Sequence, residues 1–383
     1  MSTAGTLLKR DEKHLQILAT AKGQSPNSFS YIPALDGLRA LAILLVMGFH
    51  QLGPATGWLG QKLNGWAGVD LFFIISGFLI SSILMKERDR EGTFNLRNFY
   101  VRRWLRICPA YYLFLALMFV FMLWRGQHDY SAFAIAGFYL SNIDMAAGWG
   151  LLPASSGLMH TWSLSVEEQF YLLWPATLLL VKDSALKVCL SIIATVYFWR
   201  LALVTLGVPW LGISVGLDTK LDSLMLGVLA ALLWRMPSAQ IAIKNFFSNP
   251  LMHWGSVAST IAALLFLGHP ALAEPTIFWA LKMPGTLLAM TALLLAILAN
   301  PTSTLGKFLS WRPMVFVGQL SYSLYLWHVI VNFPETNAIF ESLCNHRRYL
   351  VEFAKYAFCF AIASGSFYLV ERPFLKLKSR FSS

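Results

Sequence analysis

Arg39 and His50 lie eleven positions apart in the apolar run Leu35-Asp-Gly-Leu-Arg-Ala-Leu-Ala-Ile-Leu-Leu-Val-Met-Gly-Phe-His50. On an α-helix eleven residues turn through about 1,100°, within about 20° of three full turns, so both side chains share one face. They stand about 16 Å apart along the axis. Ionisable groups inside a membrane helix are costly and normally face a polar interior that forms a site or a pathway. A guanidinium offers a planar fork of donors to phosphate or carbonyl oxygens. An imidazole beside a carboxylate suits general-base work on a hydroxyl. The pair therefore points either to a catalytic pathway or to a transport pathway for an anionic solute.

Other residues carry similar potential. Arg103 and Arg106 share a cationic stretch, and ordinary anchoring at a helix start competes with ligand binding there. Glu167 shares a face with Ser163, although a carboxylate near a helix start also favours the dipole. Ser321, Tyr325 and His328 form one stripe by their i, i+4, i+7 spacing, which suits either a site or an interhelical seam. Asp218 and Asp222 share a face with Lys220 opposite, and Asp70 lies near Ser76. Ligand contact and helix packing weigh equally for these acidic residues.

Long apolar helices must position them. The 383 residues are 57% hydrophobic and only 13% charged, against roughly 25% charged in a soluble domain. Apolar runs of this length imply an all-α, polytopic membrane protein. The net charge of +11 sits largely in short loops, where it reports sidedness and meets anionic lipid headgroups, and nucleic acid is not an expected partner. Cys108, Cys189, Cys344 and Cys359 lack ligand spacing, so no metal site is expected.

Apolar runs fall near 33–52, 67–85, 107–124, 132–142, 163–181, 188–206, 217–234, 251–268, 278–299, 313–333 and 351–370. The run 132–142 is short for the roughly 17–25 residues of a spanning helix. If it does not cross, Lys86, Arg102, Arg103, Arg235, Lys244, Lys307, Arg312 and Lys376 all fall on one side, as the positive-inside rule requires. The expectation is about ten transmembrane helices with both termini cytoplasmic. Residues 1–30 form a polar cytoplasmic segment, 31–375 the membrane domain and 376–383 a basic cytoplasmic tail. This topology places Arg39, Arg103 and Arg106 toward the cytoplasm. It places His50, Asp70, Glu167, Asp222 and His328 in the outer half, with Glu167 expected beside His50.

Six stretches in order resemble the membrane acyltransferase family 3, integral membrane enzymes that O-acylate sugars and other surface molecules. They are Leu35–Ala42 with His50, Gly68–Leu79, Arg102–Pro109, Trp162–Tyr171, Ser321–His328 and Glu371–Phe374. The resemblance spans roughly 31–375 and implies a ten-helix core in a bacterial inner membrane. It implies an acyl-coenzyme A donor, most often acetyl-CoA, with no permanently bound cofactor, and a sugar or lipid-linked glycan hydroxyl as acceptor. The family's first-helix pair falls on Arg39 and His50, its Arg-x-x-Arg on Arg103 and Arg106, and its helix-opening glutamate on Glu167. Lys220 stands where relatives often carry Arg, which keeps the charge without the bidentate fork.

Many relatives also carry an esterase-like C-terminal domain. The short stretch after Arg372-Pro373 leads to the expectation of a membrane-proximal acceptor or a separate partner protein. The expected mechanism has Arg103, Arg106 and Arg39 hold the donor. His50, supported by Glu167 or Asp70, deprotonates the acceptor, while Asp222, Ser321, Tyr325 and His328 contact substrate. Tyr325, Ser323 or a backbone donor would meet the oxyanion, and direct transfer is favoured over an acyl-enzyme.

Overall fold

A computed structural model describes residues 31–52, 65–267, 274–377 and 381. The expected segment 1–30 and most of the tail 376–383 lie outside the described residues. Every regular element among them is helical. The helices include α1 (Pro33–Leu52), α2 (Gly65–Glu91), α3 (Leu96–Trp124), α4 (Tyr130–Gly137), α5 (Ser141–Ala147), α6 (Trp162–Val181) and α7 (Ala185–Thr205). They continue with α8 (Leu217–Arg235), α9 (Pro237–Ser248), α10 (Pro250–Leu267), α11 (Met283–Ala299), α12 (Arg312–Trp327) and α13 (Arg348–Ser366).

By length and apolarity 6 helical stretches suffice to cross a membrane, or 7 if the bent pair Trp210–Arg235 and Pro237–Ser248 counts as one. One of the 6 is the 47-residue stretch Met159–Thr205, about 70 Å if straight, more than twice a hydrocarbon core of about 30 Å. It is interrupted at Lys182–Ser184, where Lys182 adopts φ 42°, and so divides into α6 and α7.

Close backbone contact fixes the central helices. A Cβ at Gly77 would sit 2.0 Å from the Leu224 carbonyl oxygen, and one at Gly227 2.0 Å from that of Ile74, so α2 and α8 touch backbone to backbone. A Cβ at Gly318 would meet the Asp36 carbonyl oxygen at 1.9 Å, which seats α12 against α1. Small residues at membrane-helix interfaces allow this approach.

The contacts also give helix directions. Asp36 meets Gly318, Arg39 meets Ser321 and His50 meets Asn332, so α1 and α12 run parallel. Ser76 meets Glu167 and Ser81 meets Trp174, so α2 and α6 run parallel. Tyr100 meets Leu172 and Phe114 meets His160, so α3 and α6 run antiparallel. The segment between α3 and α6, including the 8-residue α4 and 7-residue α5, therefore starts and finishes at one end of the bundle.

Candidate active site

Arg39, Arg103 and Arg106 line one cavity of about 160 Å³, together with Ser76, Ser163, Glu167, Ser321 and Tyr325. Its remaining wall includes Phe72, Phe73, Leu79, Ile80 and Ile83. The cavity thus has an apolar side and a cationic side, the usual form of a site with a few orienting polar groups.

The arginines are held by local structure. Asn95 caps α3 by accepting from the Asn98 amide at 3.0 Å. Glu87, near the end of α2, accepts from the Asn95 amide at 2.8 Å and from Arg102 Nη2 at 2.7 Å. This locks the α2–α3 turn, and the following turns of α3 carry Arg103 and Arg106 into the cavity. The Arg103 guanidinium stacks 3.7 Å from the Tyr171 ring centre, and its Nε is buried without a hydrogen-bond partner among the described residues. Arg39 Nε donates to Ser321 Oγ at 3.3 Å.

Several expected residues do come together here. Ser76 Oγ donates to Glu167 Oε1 at 2.6 Å. Tyr325 Oη lies 2.5 Å from Ser163 Oγ and donates to the His160 carbonyl at 2.6 Å. Helix α6 starts at Trp162, with no acidic residue in its first turn. Glu167 therefore stands in the second turn, where capping does not explain it.

His50 lies at the far end of α1, exposed, with Nδ1 2.9 Å from the Val46 carbonyl. Its ring meets the ring of fully buried His328 at 4.9 Å between centroids. Arg39 and His50 thus both face α12, as their spacing requires.

Other expectations need correction. His50 and Glu167 share no hydrogen bond among the described residues. Trp162 stacks on Trp66, at the end of α2 where Gly65 meets Phe49. Glu167 lies five residues further along α6, about 7.5 Å deeper on the axis. Asp70 does not support His50, because Lys220 Nζ donates to it at 2.9 and 3.1 Å and Ser223 Oγ at 3.0 Å. Asp222 is no cavity residue: it is 4% exposed and forms an ion pair with Arg200, which is fully buried. Ser323 donates to Glu371 and is thereby drawn away from any oxyanion.

Two residues given no role from the sequence stand close to the site. Glu371 lies in a π-helical turn, Phe367–Glu371, within electrostatic reach of Arg106 and Arg39; such turns recur at functional sites. His160 precedes α6 and packs against the rings of Tyr325 and His328. Its available signal was a histidine two positions before the Trp162–Tyr171 motif.

Among the described residues no group of three or more His, Cys, Asp or Glu side chains is placed to hold a metal ion.

Comparison with known proteins places these features in context. The chain is 29% identical over 370 residues to the peptidoglycan O-acetyltransferase OatA of Listeria monocytogenes, covering 91% of this chain and 56% of that one. A Staphylococcus aureus protein (strain COL) named as a candidate O-acetyltransferase is 30% identical over 377 residues, 90% of this chain and 58% of its own length. YrhL of Bacillus subtilis, named as a candidate peptidoglycan O-acetyltransferase, is 32% identical over 329 residues, 78% of this chain and 48% of its own. The chain thus spans about half the length of the curated relatives it matches. No solved structure matches it. The acyltransferase domain family matches residues 32–365, nearly the whole of the described bundle, and this chain belongs to that family.

Proposed function

We propose that the protein is a multi-pass membrane O-acyltransferase of a bacterial inner membrane, moving an acetyl group from acetyl-coenzyme A to a hydroxyl of a glycan. The observation that carries this reading is the cavity lined by Arg39, Arg103 and Arg106, set on the same α1–α12 pair that ends at His50 and His328. Guanidinium groups suit the donor's phosphates, and the apolar wall suits its pantetheine arm. The glycan acceptor is supported by the names of the relatives from Listeria and Bacillus.

In this mechanism Arg103 and Arg106 hold the donor at the cytoplasmic mouth and Arg39 lies deeper. Glu167, held by Ser76, orients the donor or its arginines. His50 Nδ1 faces a carbonyl, which only accepts, so Nδ1 carries the hydrogen and Nε2 is the free base. Nε2 takes the acceptor proton, the alkoxide attacks the thioester carbonyl, and the thiolate leaves. Ser321, Tyr325 and His328 remain the proposed contacts to substrate along this route.

The proposed topology has ten spans with both termini cytoplasmic. Parallel α1 and α12, parallel α2 and α6, and antiparallel α3 and α6 all agree with a segment 125–160 that stays on the outer side. The test is purified full chain with acetyl-CoA and a soluble peptidoglycan fragment, following free thiol and ester together. Stoichiometric release of both is expected. Movement of a solute without thioester cleavage would instead support a transporter.

A further inference from the structure

The cavity holds opposite charges that do not pair. Glu167 lines it together with Arg39, Arg103 and Arg106, yet Glu167 forms no ion pair among the described residues. A serine holds each of two facing groups instead. Ser76 Oγ donates to Glu167 Oε1 at 2.6 Å, and Arg39 Nε donates to Ser321 Oγ at 3.3 Å. Glu167 Oε2 and the Arg39 Nη atoms have no hydrogen-bond partner among the described residues.

These two groups stand at one level. Tyr322 meets Ile107 and Trp327 meets Phe114, so α12 runs parallel to α3 and therefore antiparallel to α6. Ser163 on α6 bonds to Tyr325 on α12 at 2.5 Å. Glu167 comes four residues after Ser163, and Ser321 four before Tyr325. Both therefore lie about 6 Å from that pair, in the same direction. Tyr171, with the Arg103 guanidinium stacked on it, comes four residues further along α6, about 6 Å more. The cavity thus presents Arg103 first, then Arg39 and Glu167, then the Ser163–Tyr325 pair.

A level with free guanidinium donors on one wall and a free carboxylate oxygen on another matches a secondary amide. Its C=O accepts on one side while its N–H donates on the other. A phosphate would match the guanidinium alone. We propose that Arg39 and Glu167 bind the amide of the donor's arm nearest the sulfur, an inference that rests on the acetyl-coenzyme A reading above. Arg39 meets the amide oxygen, and Glu167 Oε2 accepts from the amide N–H. The spacing agrees. Two methylenes separate that nitrogen from the sulfur, so the thioester carbonyl carbon is four bonds away. In an extended chain this is about 5 Å, at roughly 1.2 Å per bond. An amide seated at Glu167 thus brings the reacting carbon to the level of Ser163 and Tyr325. The Tyr325 ring lies 5.6 Å from that of His328, the neighbour of His50. Glu167 sets the depth of the thioester and takes no part in proton transfer.

The test compares acetyl-CoA with an analogue in which an ester oxygen replaces that amide N–H. Detergent-solubilised full chain and a soluble peptidoglycan fragment are used, and thiol release is read. The wild type should prefer acetyl-CoA by about 10- to 100-fold in kcat/KM, the scale of one hydrogen bond to a charged group. Glu167→Ala should use the two donors about equally, whereas Glu167→Gln, which keeps an accepting oxygen, should retain part of the preference. Equal kcat/KM for both donors in the wild type overturns the amide contact without recourse to any variant. A full wild-type preference in Glu167→Ala overturns it too. If the wild type releases no thiol from acetyl-CoA at all, the acyl-transfer reading itself has failed.

Discussion

Arg39 Nε donates to Ser321 Oγ at 3.3 Å, across 282 positions of sequence. The same offset recurs at the far end of the pair, where Asn332 Nδ2 donates to the His50 carbonyl at 3.4 Å. Two parallel helices in fixed register therefore hold the cationic and imidazole levels, and a shift in that register would move both.

Register should thus be sensitive at Gly318. A Cβ there would lie 1.9 Å from the Asp36 carbonyl oxygen, whereas at Gly365 nothing lies within 4 Å. Gly318→Ala should cost about 1–3 kcal/mol or more through overpacking. Gly365→Ala should be neutral or slightly stabilising, since it only removes backbone freedom. Thermal unfolding in detergent measures both, and equal melting temperatures would remove the close contact as a determinant of the fold.

Arg103→Ala and Arg106→Ala should each weaken acetyl-CoA binding by roughly 10- to 100-fold, the scale of one charge-assisted hydrogen bond. Lysine at either position should restore only part of the affinity if the contact is a planar fork. Titration calorimetry on the purified variants checks this, and unchanged affinity in both alanine variants would return these residues to topological anchoring.

The Asp70–Lys220 pair is fully enclosed, with side chains 1% and 2% exposed. Asp70→Asn or Lys220→Met alone should destabilise by about 3–5 kcal/mol, because one buried charge is left unpaired. The double variant should recover most of that loss and retain acyl transfer. A stable double variant without activity would restore Asp70 to the chemistry.

The outer placement of the segment between α3 and α6 can be read by cysteine labelling. Trp149 and Leu151 are exposed, so cysteines placed there should react with an impermeant reagent from outside intact cells, and one at Asp183 should not. The opposite pattern would add a span and invert the later helices.

Periodicity is enough to read the Arg39–His50 face and the Ser321–Tyr325–His328 stripe, both of which lie along the α1–α12 contact. Depth to within one helical turn is not legible in the sequence, so Glu167 reads as a neighbour of His50 although it bonds to Ser76. Partner choice among buried charges was equally hidden. Asp70, Asp222, Lys220 and Arg200 are all ionisable residues in apolar runs, and only packing shows that Lys220 pairs with Asp70 and Arg200 with Asp222. Asp218 and Asp222 do face α7 together, through Trp199 and Arg200, with Lys220 turned to α2, as their spacing indicated. His160 lies outside any periodic run, and its place two positions before Trp162 is the one mark it carries in the sequence.

The most direct test of the account is the rate of acetyl transfer by His50→Ala, measured as ester formed on a soluble peptidoglycan fragment by protein that retains the wild-type melting temperature and acetyl-CoA affinity. Loss of a general base predicts a fall of about 10²–10⁴-fold. Turnover near the wild-type rate in such a protein would contradict it.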